Sequence, residues 1–411
     1  MSEKCELCEQ LEDEKCILHC EKDDWKDEKI ILKFWEKISE KIDKINSVKD
    51  DYPEFEDEAE KNNFEFLKYE FNNVIFPNFI KNAQPFYELQ REINLSFNQC
   101  YFKGDTDFRD LMKPSNITFN ECHFYKDLKI VNQNFQNLFL FENCRVYEDA
   151  TFQNIIFKGT SSFIDTIFDK NIKFIHSKFE SLALFNNLKF NKLYLDNTFF
   201  KDETSFLNMK NEDGEKLTSS NIANRETARI IKYSFEKQAN IIESNKFYAL
   251  EMDKEEESLF WKENPKDKLI FKAHKIFSNH SQDWLLTLNW IIIFGFISAL
   301  LSFFLMQNDD AKYIHFTIPI ISLLLVFLGY FSLLILKINV TVFQTLPFLM
   351  YSLYISLTND IFLNHFATTF NPFFIMKNGA NITFPELLIK LIIAYLIYQF
   401  IISIRQNTRR Q

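Results

Sequence analysis

The sequence predicts a Phe-rich β-solenoid in front of an α-helical membrane domain, and three observations carry that expectation. Large apolar residues recur at alternating steps of five and six between Phe97 and Phe190. Cysteines recur at a constant interval, Cys100, Cys122 and Cys144, in near-identical settings: Phe-Asn-Gln-Cys, Phe-Asn-Glu-Cys and Phe-Glu-Asn-Cys. Four long apolar stretches crowd the C-terminal third of the chain.

Composition sets the outer limits. Phe occurs 48 times and Gly only 6, and the hydrophobic content of 46% can supply a sizeable core. The glycines lie far apart, so the closely spaced glycines of a phosphate-cradling loop or a dinucleotide fingerprint are missing. The formal charge of −10 belongs to residues 1–63, with 21 Asp and Glu against 11 Lys. Residues 97–206 hold 14 acids against 13 bases, so neither a basic nucleic-acid stripe nor an acidic DNA mimic is visible there.

The first module is expected at 1–24. Cys5 and Cys8 form one C-x-x-C pair, and Cys16, His19 and Cys20 supply the second. Tetrahedral zinc takes four thiolate or imidazole ligands, so a structural Zn2+ is expected on four of these five residues, with either His19 or Cys20 completing the site. Residues 1–29 are polar and acidic with no apolar leader segment, which places the thiols in a reducing cytoplasm where metal ligation is favoured over disulfides.

Residues 25–63 read as an amphipathic helix and an acidic linker. Ile30, Ile31, Phe34, Trp35, Ile38, Ile42 and Ile45 fall at helical spacing over 25–49. The polar face mixes acids with lysines, so the helix is expected to pack on the neighbouring domain and not on a membrane.

The solenoid is expected over 64–209. Phe66, Phe71 and Phe76 begin or cap it, and Phe97, Phe102, Phe108, Phe119, Phe124, Ile130, Phe135, Phe141, Val146, Phe152, Phe157, Phe163, Phe168, Phe174, Phe179, Phe185 and Phe190 point inward, with one break at Lys113. Neither a helical nor a strictly alternating period fits, whereas one inward residue per side of a coil does. Four such steps, two of five and two of six, should close one coil, stacking Cys100, Cys122, Cys144, Thr166 and Leu188 in one small apolar column.

The stretch Phe152-Gln-Asn-Ile-Ile-Phe157-Lys-Gly-Thr-Ser-Ser-Phe163 resembles the pentapeptide-repeat family, in a variant where five- and six-residue steps alternate. The resemblance covers Phe97 to Phe206. It implies a right-handed four-sided β-helix with the central Phe or Leu inside and the residue two before it also inward. The strict pattern of the family closes a coil in twenty residues, two fewer than here.

Residues 210–280 read as a helical cap and connector, with two helices over 221–260 that resemble the segment following the repeats in membrane-linked members of the family. A transmembrane domain is expected over 281–411, with spans at about 285–305, 314–336, 340–357 and 387–404. Five lysines precede the first span and Arg405, Arg409 and Arg410 follow the last, so both termini are expected to be cytoplasmic. The resulting expectation is a multi-pass protein of a bacterial inner membrane. Lys390 is expected to snorkel from the end of its span.

The seven histidines are scattered, with no H-E-x-x-H pair, and no nucleophile elbow occurs, so no catalytic residue and no enzymatic activity is expected. The function expected is a membrane-anchored interaction scaffold whose partners are the lipid bilayer and a cytoplasmic protein, not nucleic acid, with homo-oligomerisation compatible. The alternative is an ion channel or transporter regulated by the solenoid, for which Asn289 and Gln344 are the polar groups within spans. Some pentapeptide-repeat proteins inhibit topoisomerases by mimicking DNA; the near-neutral repeats argue against that here.

Overall fold

A computed structural model of the chain describes residues 17–19, 28–50, 68–77, 93–109, 114–306, 340–371 and 384–408. It divides into two compact units, Met1–Lys254 and Glu255–Gln411.

The first unit is a parallel β-solenoid of about 5 turns. One seven-stranded sheet stacks Lys68–Asn72, Ile93–Asn98, Pro114–Asn120, Leu138–Glu142, Ser161–Ser162, Ala183–Leu184 and Thr204–Ser205. A four-stranded sheet stacks Asn134–Phe135, Ile156–Phe157, Lys178–Phe179 and Phe199–Phe200. The remaining strands form a ten-stranded path, in which the long strand Ile167–Ile175 pairs with Arg145–Val146 through its first residues and with Ala150–Gln153 through its last. Coils stack in the register that the cysteine interval predicts, as in Asn116↔Leu138 and Ser161↔Ala183.

All seventeen residues assigned inward between Phe97 and Phe190 are buried. Many of the phenylalanines stack ring on ring from coil to coil. Phe76, Phe102 and Phe124 follow at 4.7 and 4.4 Å between centroids, and Phe157, Phe179 and Phe200 at 4.5 and 4.6 Å. Strands about 4.8 Å apart impose this spacing, and it is close to the ideal for offset aromatic stacking. Phe71 and Phe76 belong to this core as expected, whereas Phe66 lies outside the described residues.

Two corners of each coil turn through a residue with positive φ. These residues are Asn73, Gln99, Glu121, Asn143, Asp165, Asn187 and Asn208 at one corner, and Asn132, Asn154, His176 and Asn197 at the other. Asn, Asp and His tolerate the left-handed region better than other non-glycine residues, which explains their abundance there. The residue that follows each of them points inward. One such column is Cys100, Cys122, Cys144, Thr166 and Leu188, all buried, as the sequence interval predicts. The column is not merely small and apolar: Leu188 is large, and the cysteines and Thr166 donate to carbonyls of the preceding coil, Cys100 to Phe71, Cys122 to Phe97 and Thr166 to Phe141, at 3.1, 3.2 and 2.8 Å. A hydroxyl can therefore replace a thiol at Thr166 without loss. Burial pushes the Cys100 and Cys144 thiols up, so they stay protonated and available as donors.

The regular register gives way twice. A shift opposite Ile93 and Asn94, at Pro114 to Asn116, falls beside the expected break at Lys113. A second, between Phe168 and Asn171, makes the last coil one residue shorter, so that Ala183 pairs with Thr204.

Both ends of the rod are covered. Helix α1, Glu28–Asp50, buries Ile31, Phe34, Trp35, Ile38 and Ile42, and Phe34 meets Phe76 of the first coil edge to face at 5.6 Å. The helix thus packs on its neighbouring domain, as its mixed-charge polar face predicts. At the other end lies α2, Arg225–Lys237, capped by Asn224, whose side chain accepts from Thr227 N. The helix takes up polar groups of the last coil: Leu195 N donates to Thr227 Oγ1 at 3.0 Å, and Ser234 Oγ and Gln238 Nε2 both donate to Thr204 O. α3, Ile241–Ser258, follows, with Phe247 stacked on Phe235 and buried Glu251 receiving Lys232 and Arg225.

The second unit consists of helices α4, Pro265–Ser278; α5, Trp284–Met306; α6, Val340–Thr358; α7, Asn364–Phe370; and α8, Phe384–Thr408. Three of the four expected spans lie on α5, α6 and α8, and 314–336 lies outside the described residues. Within α8, Leu387–Thr408 is long and apolar enough to cross a membrane, while Trp284–Leu300 and Leu346–Thr358 are shorter apolar stretches. Phe296 of α5 packs on Phe366 of α7 and Tyr354 of α6 at 4.6 and 5.5 Å. Lys390 does not extend outward but is buried, its Nζ donating to Asn371 O at 3.3 Å.

Candidate functional site

The outward positions of the short strands Tyr101–Phe102, His123–Phe124 and Arg145–Val146 stand in register, with Tyr101 opposite His123 and His123 opposite Arg145. Two residues further along, Lys103, Tyr125 and Tyr147 form a second outward column. Because coils repeat at strand spacing, side chains of one column touch. Tyr101 and His123 stack at 5.4 Å and 6°, and Tyr125 and Tyr147 at 4.9 Å and 18°. Lys103 Nζ stands 4.0 Å over the Tyr125 ring, and the Arg145 guanidinium 5.0 Å from the Tyr147 ring centre. Arg145 is further held by a two-pronged pair with Asp169, with Nε and Nη2 each 3.1 Å from a carboxylate oxygen.

The electrostatics follow from this packing. Burial lowers the pKa of His123, and the Arg145 and Lys103 cations lower it further. His123 is therefore neutral at pH 7. Burial also raises the Tyr147 phenol. Ring faces are taken up by neighbouring rings and cations, so the surface presents ring edges, phenolic hydroxyls and two cationic groups. Such a surface offers hydrogen-bond donors, with the guanidinium fork of Arg145 already holding Asp169. The nearest approach to an acid–base pair on it, Tyr147 Oη to His123 Nδ1, is 3.4 Å.

A second polar cluster lies in the helical unit. His274 Nε2 is 3.1 Å from both Gln399 Oε1 and Ser281 Oγ, and its Nδ1 is 3.2 Å from His280 Nδ1. The Ser281–His274 contact has the length of a nucleophile–base pair. Ser281 is nevertheless buried and also bonded to Gln399 at 3.0 Å, which suits a structural clamp better than a reaction centre. The clamp joins the end of α4 to α8 through a loop where Asn279, His280 and Ser281 all have positive φ.

Of the expected zinc ligands, Cys5, Cys8, Cys16 and Cys20 lie outside the described residues. His19 is described: it follows Leu18, which is buried against the first coil and accepts from Ile75 N, and its Nε2 is 3.4 Å from Asn72 O. With Nε2 turned to a carbonyl, ligation by His19 would use Nδ1, the arrangement in which the second ring nitrogen fixes the tautomer. Asn289 is buried on α5, and its Nδ2 has no hydrogen-bond partner among the described residues. The side chain of Gln344 lies outside them.

No family model matches the chain, and neither a curated protein nor a solved structure gives a significant match.

Sequence reasoning did not single out the Tyr101–Tyr147 face. Its signal was present, because Tyr101, His123 and Arg145, like Lys103, Tyr125 and Tyr147, are one coil length apart. The outward columns change residue type from coil to coil, so no repeat of letters marks them.

Proposed function

We propose that this chain is a non-enzymatic, membrane-anchored interaction scaffold of pentapeptide-repeat type, with a right-handed four-sided coil and its solenoid in the cytoplasm. The observation that carries the reading is the capped rod with a continuous outward ladder. α1 and α2 cover the two ends, so docking is left to the sides, and the Tyr101–Tyr147 side concentrates aromatic and cationic groups. Tyr and Arg are the residue types that dominate binding hot spots. The occupant proposed is a cytoplasmic protein with an acidic contact surface. α8, together with α5, α6 and segment 314–336, holds the rod at a bacterial inner membrane, and zinc on four of Cys5, Cys8, Cys16, His19 and Cys20 orders the N-terminus.

The test is cross-linking in native membranes followed by capture of the full chain, with Tyr125→Ala/Arg145→Ala/Tyr147→Ala alongside. A discrete partner lost from the triple variant, at unchanged thermal stability, supports the scaffold. Equal recovery by both chains contradicts it. The channel alternative has the orphaned amide of Asn289 in its favour, and it predicts ion flux in reconstituted vesicles that Asn289→Leu abolishes.

A further inference from the structure

Helix α4 has two unlike halves. Its C-terminal half is pinned against α5 and α8: Phe277 meets Trp290 and Tyr395 at 5.3 and 6.3 Å, Trp290 Nε1 donates to Ile276 O at 3.0 Å, and His274 joins the Gln399 clamp. In its N-terminal half and just before it stand Phe260, Trp261, Leu269 and Ile270, with 65, 50, 61 and 64% of their surface exposed. Four large apolar residues this close in sequence and this exposed form a surface that water disfavours.

The polar residues around them have one dominant sign. Residues 260–280 contain five lysines, Lys262, Lys266, Lys268, Lys272 and Lys275, against Glu263 and Asp267. Lys266 precedes Leu269 and Ile270 by three and four positions and so shares their helix face, and Lys272 stands one turn beyond Leu269 with its Nζ 5.7 Å from the Trp261 ring centre. Lys268 and Lys275 turn to Glu256, the first to its carbonyl and the second to its carboxylate. An apolar patch with an indole at its margin and lysines about it is the composition that partitions into a headgroup layer, with anionic lipids adding Coulomb attraction.

We propose that α4 and the preceding Phe260–Trp261 corner form an interfacial surface that binds the anionic headgroups of the bilayer. This rests on the membrane-anchor reading, because the same helix is clamped to α5 and α8. The clamp fixes the C-terminal half of α4 on these helices, so that its exposed N-terminal half meets the lipid surface when the neighbouring helices enter the membrane. Trp284, exposed at the start of α5, sits 6.3 Å from Phe400 of α8 and is a second exposed indole beside the apolar helices.

The full chain, reconstituted into phosphatidylcholine vesicles with and without phosphatidylglycerol, tests this by tryptophan quenching with brominated phospholipid. Subtracting the signal of Trp261→Phe isolates Trp261, and subtracting that of Trp284→Phe reports independently on α5. The expected result is that Trp261 is quenched by lipid brominated near the headgroup, more strongly when phosphatidylglycerol is present. Lys266→Glu/Lys272→Glu should abolish the phosphatidylglycerol dependence while leaving Trp284 quenching unchanged. If Trp284 is quenched and Trp261 is not, and acrylamide reaches Trp261 equally in both vesicles, the interfacial surface is refuted while the anchor stands. If neither is quenched, both fail. Trp261 shielding that scales with the protein-to-lipid ratio and ignores lipid charge would assign the patch to a second copy of the chain and overturn the proposal.

Discussion

His123 shows how a single side chain reports on the solenoid surface. Its imidazole is held neutral between Tyr101 and Tyr147 by partial burial and by the cations beside it, so its pKa in the folded chain lies below the ordinary value of 6.5. The unfolded chain then binds the proton more readily. The stabilisation is complete above about pH 6.5 and is lost as pH falls from there through the folded value. His274 is depressed for the same first reason, burial, and adds a loss of the same sign. Unfolding followed by denaturant should show stability declining on acidification, and the decline should be shallower in His123→Phe. An identical slope would remove His123 from the account. In the core, Phe157→Ala or Phe179→Ala should cost about 3–5 kcal/mol, because a cavity opens in a stack with no alternative packing, whereas Lys158→Ala on the surface should be nearly silent. At Gly159 an added Cβ would lie 1.3 Å from Asn137 O, so Gly159→Ala should destabilise although the residue is in a turn. The inward residues were legible from spacing alone, because each coil places one large residue per side. The polar role of the cysteine column was not, because the acceptors are carbonyls of the preceding coil, such as Phe71 for Cys100 and Phe97 for Cys122.

At the scale of elements, the ends matter most. A parallel solenoid leaves unpaired strand edges at each terminus, and such edges template association unless covered. α1 does this with Phe34 and Trp35, and α2 with Thr227, Ser234 and Gln238. Phe34→Ala/Trp35→Ala should uncover the first coil and produce concentration-dependent end-to-end association, visible by light scattering of the purified full chain. Unchanged scattering would mean that the edge is protected by something other than α1. The capping helices could be read from their apolar periodicity. The shortened last coil could also have been read, since Phe190, Leu195 and Phe200 fall at two successive steps of five where a six and a five were expected. The His274–Gln399 clamp could not be read, because it joins sequence-distant residues through one loop of unusual backbone conformation.

At the scale of the whole chain, a repeat rod exposes much surface for each core residue, and the two sequence-distant capping helices restrict that surface to the sides. The account then makes a claim about direction: one side of the coil docks, and the others do not. Side-specific photo-cross-linking around a single coil measures this most directly. The photoreactive group is placed in turn at four outward positions, Leu140, Tyr147, Thr151 and Lys158, of the full chain in native membranes. The account predicts a discrete adduct from position 147, lost when Arg145→Glu is added, and none from the other three. Adducts of equal yield from all four positions, or an adduct from 147 that Arg145→Glu leaves untouched, would contradict it.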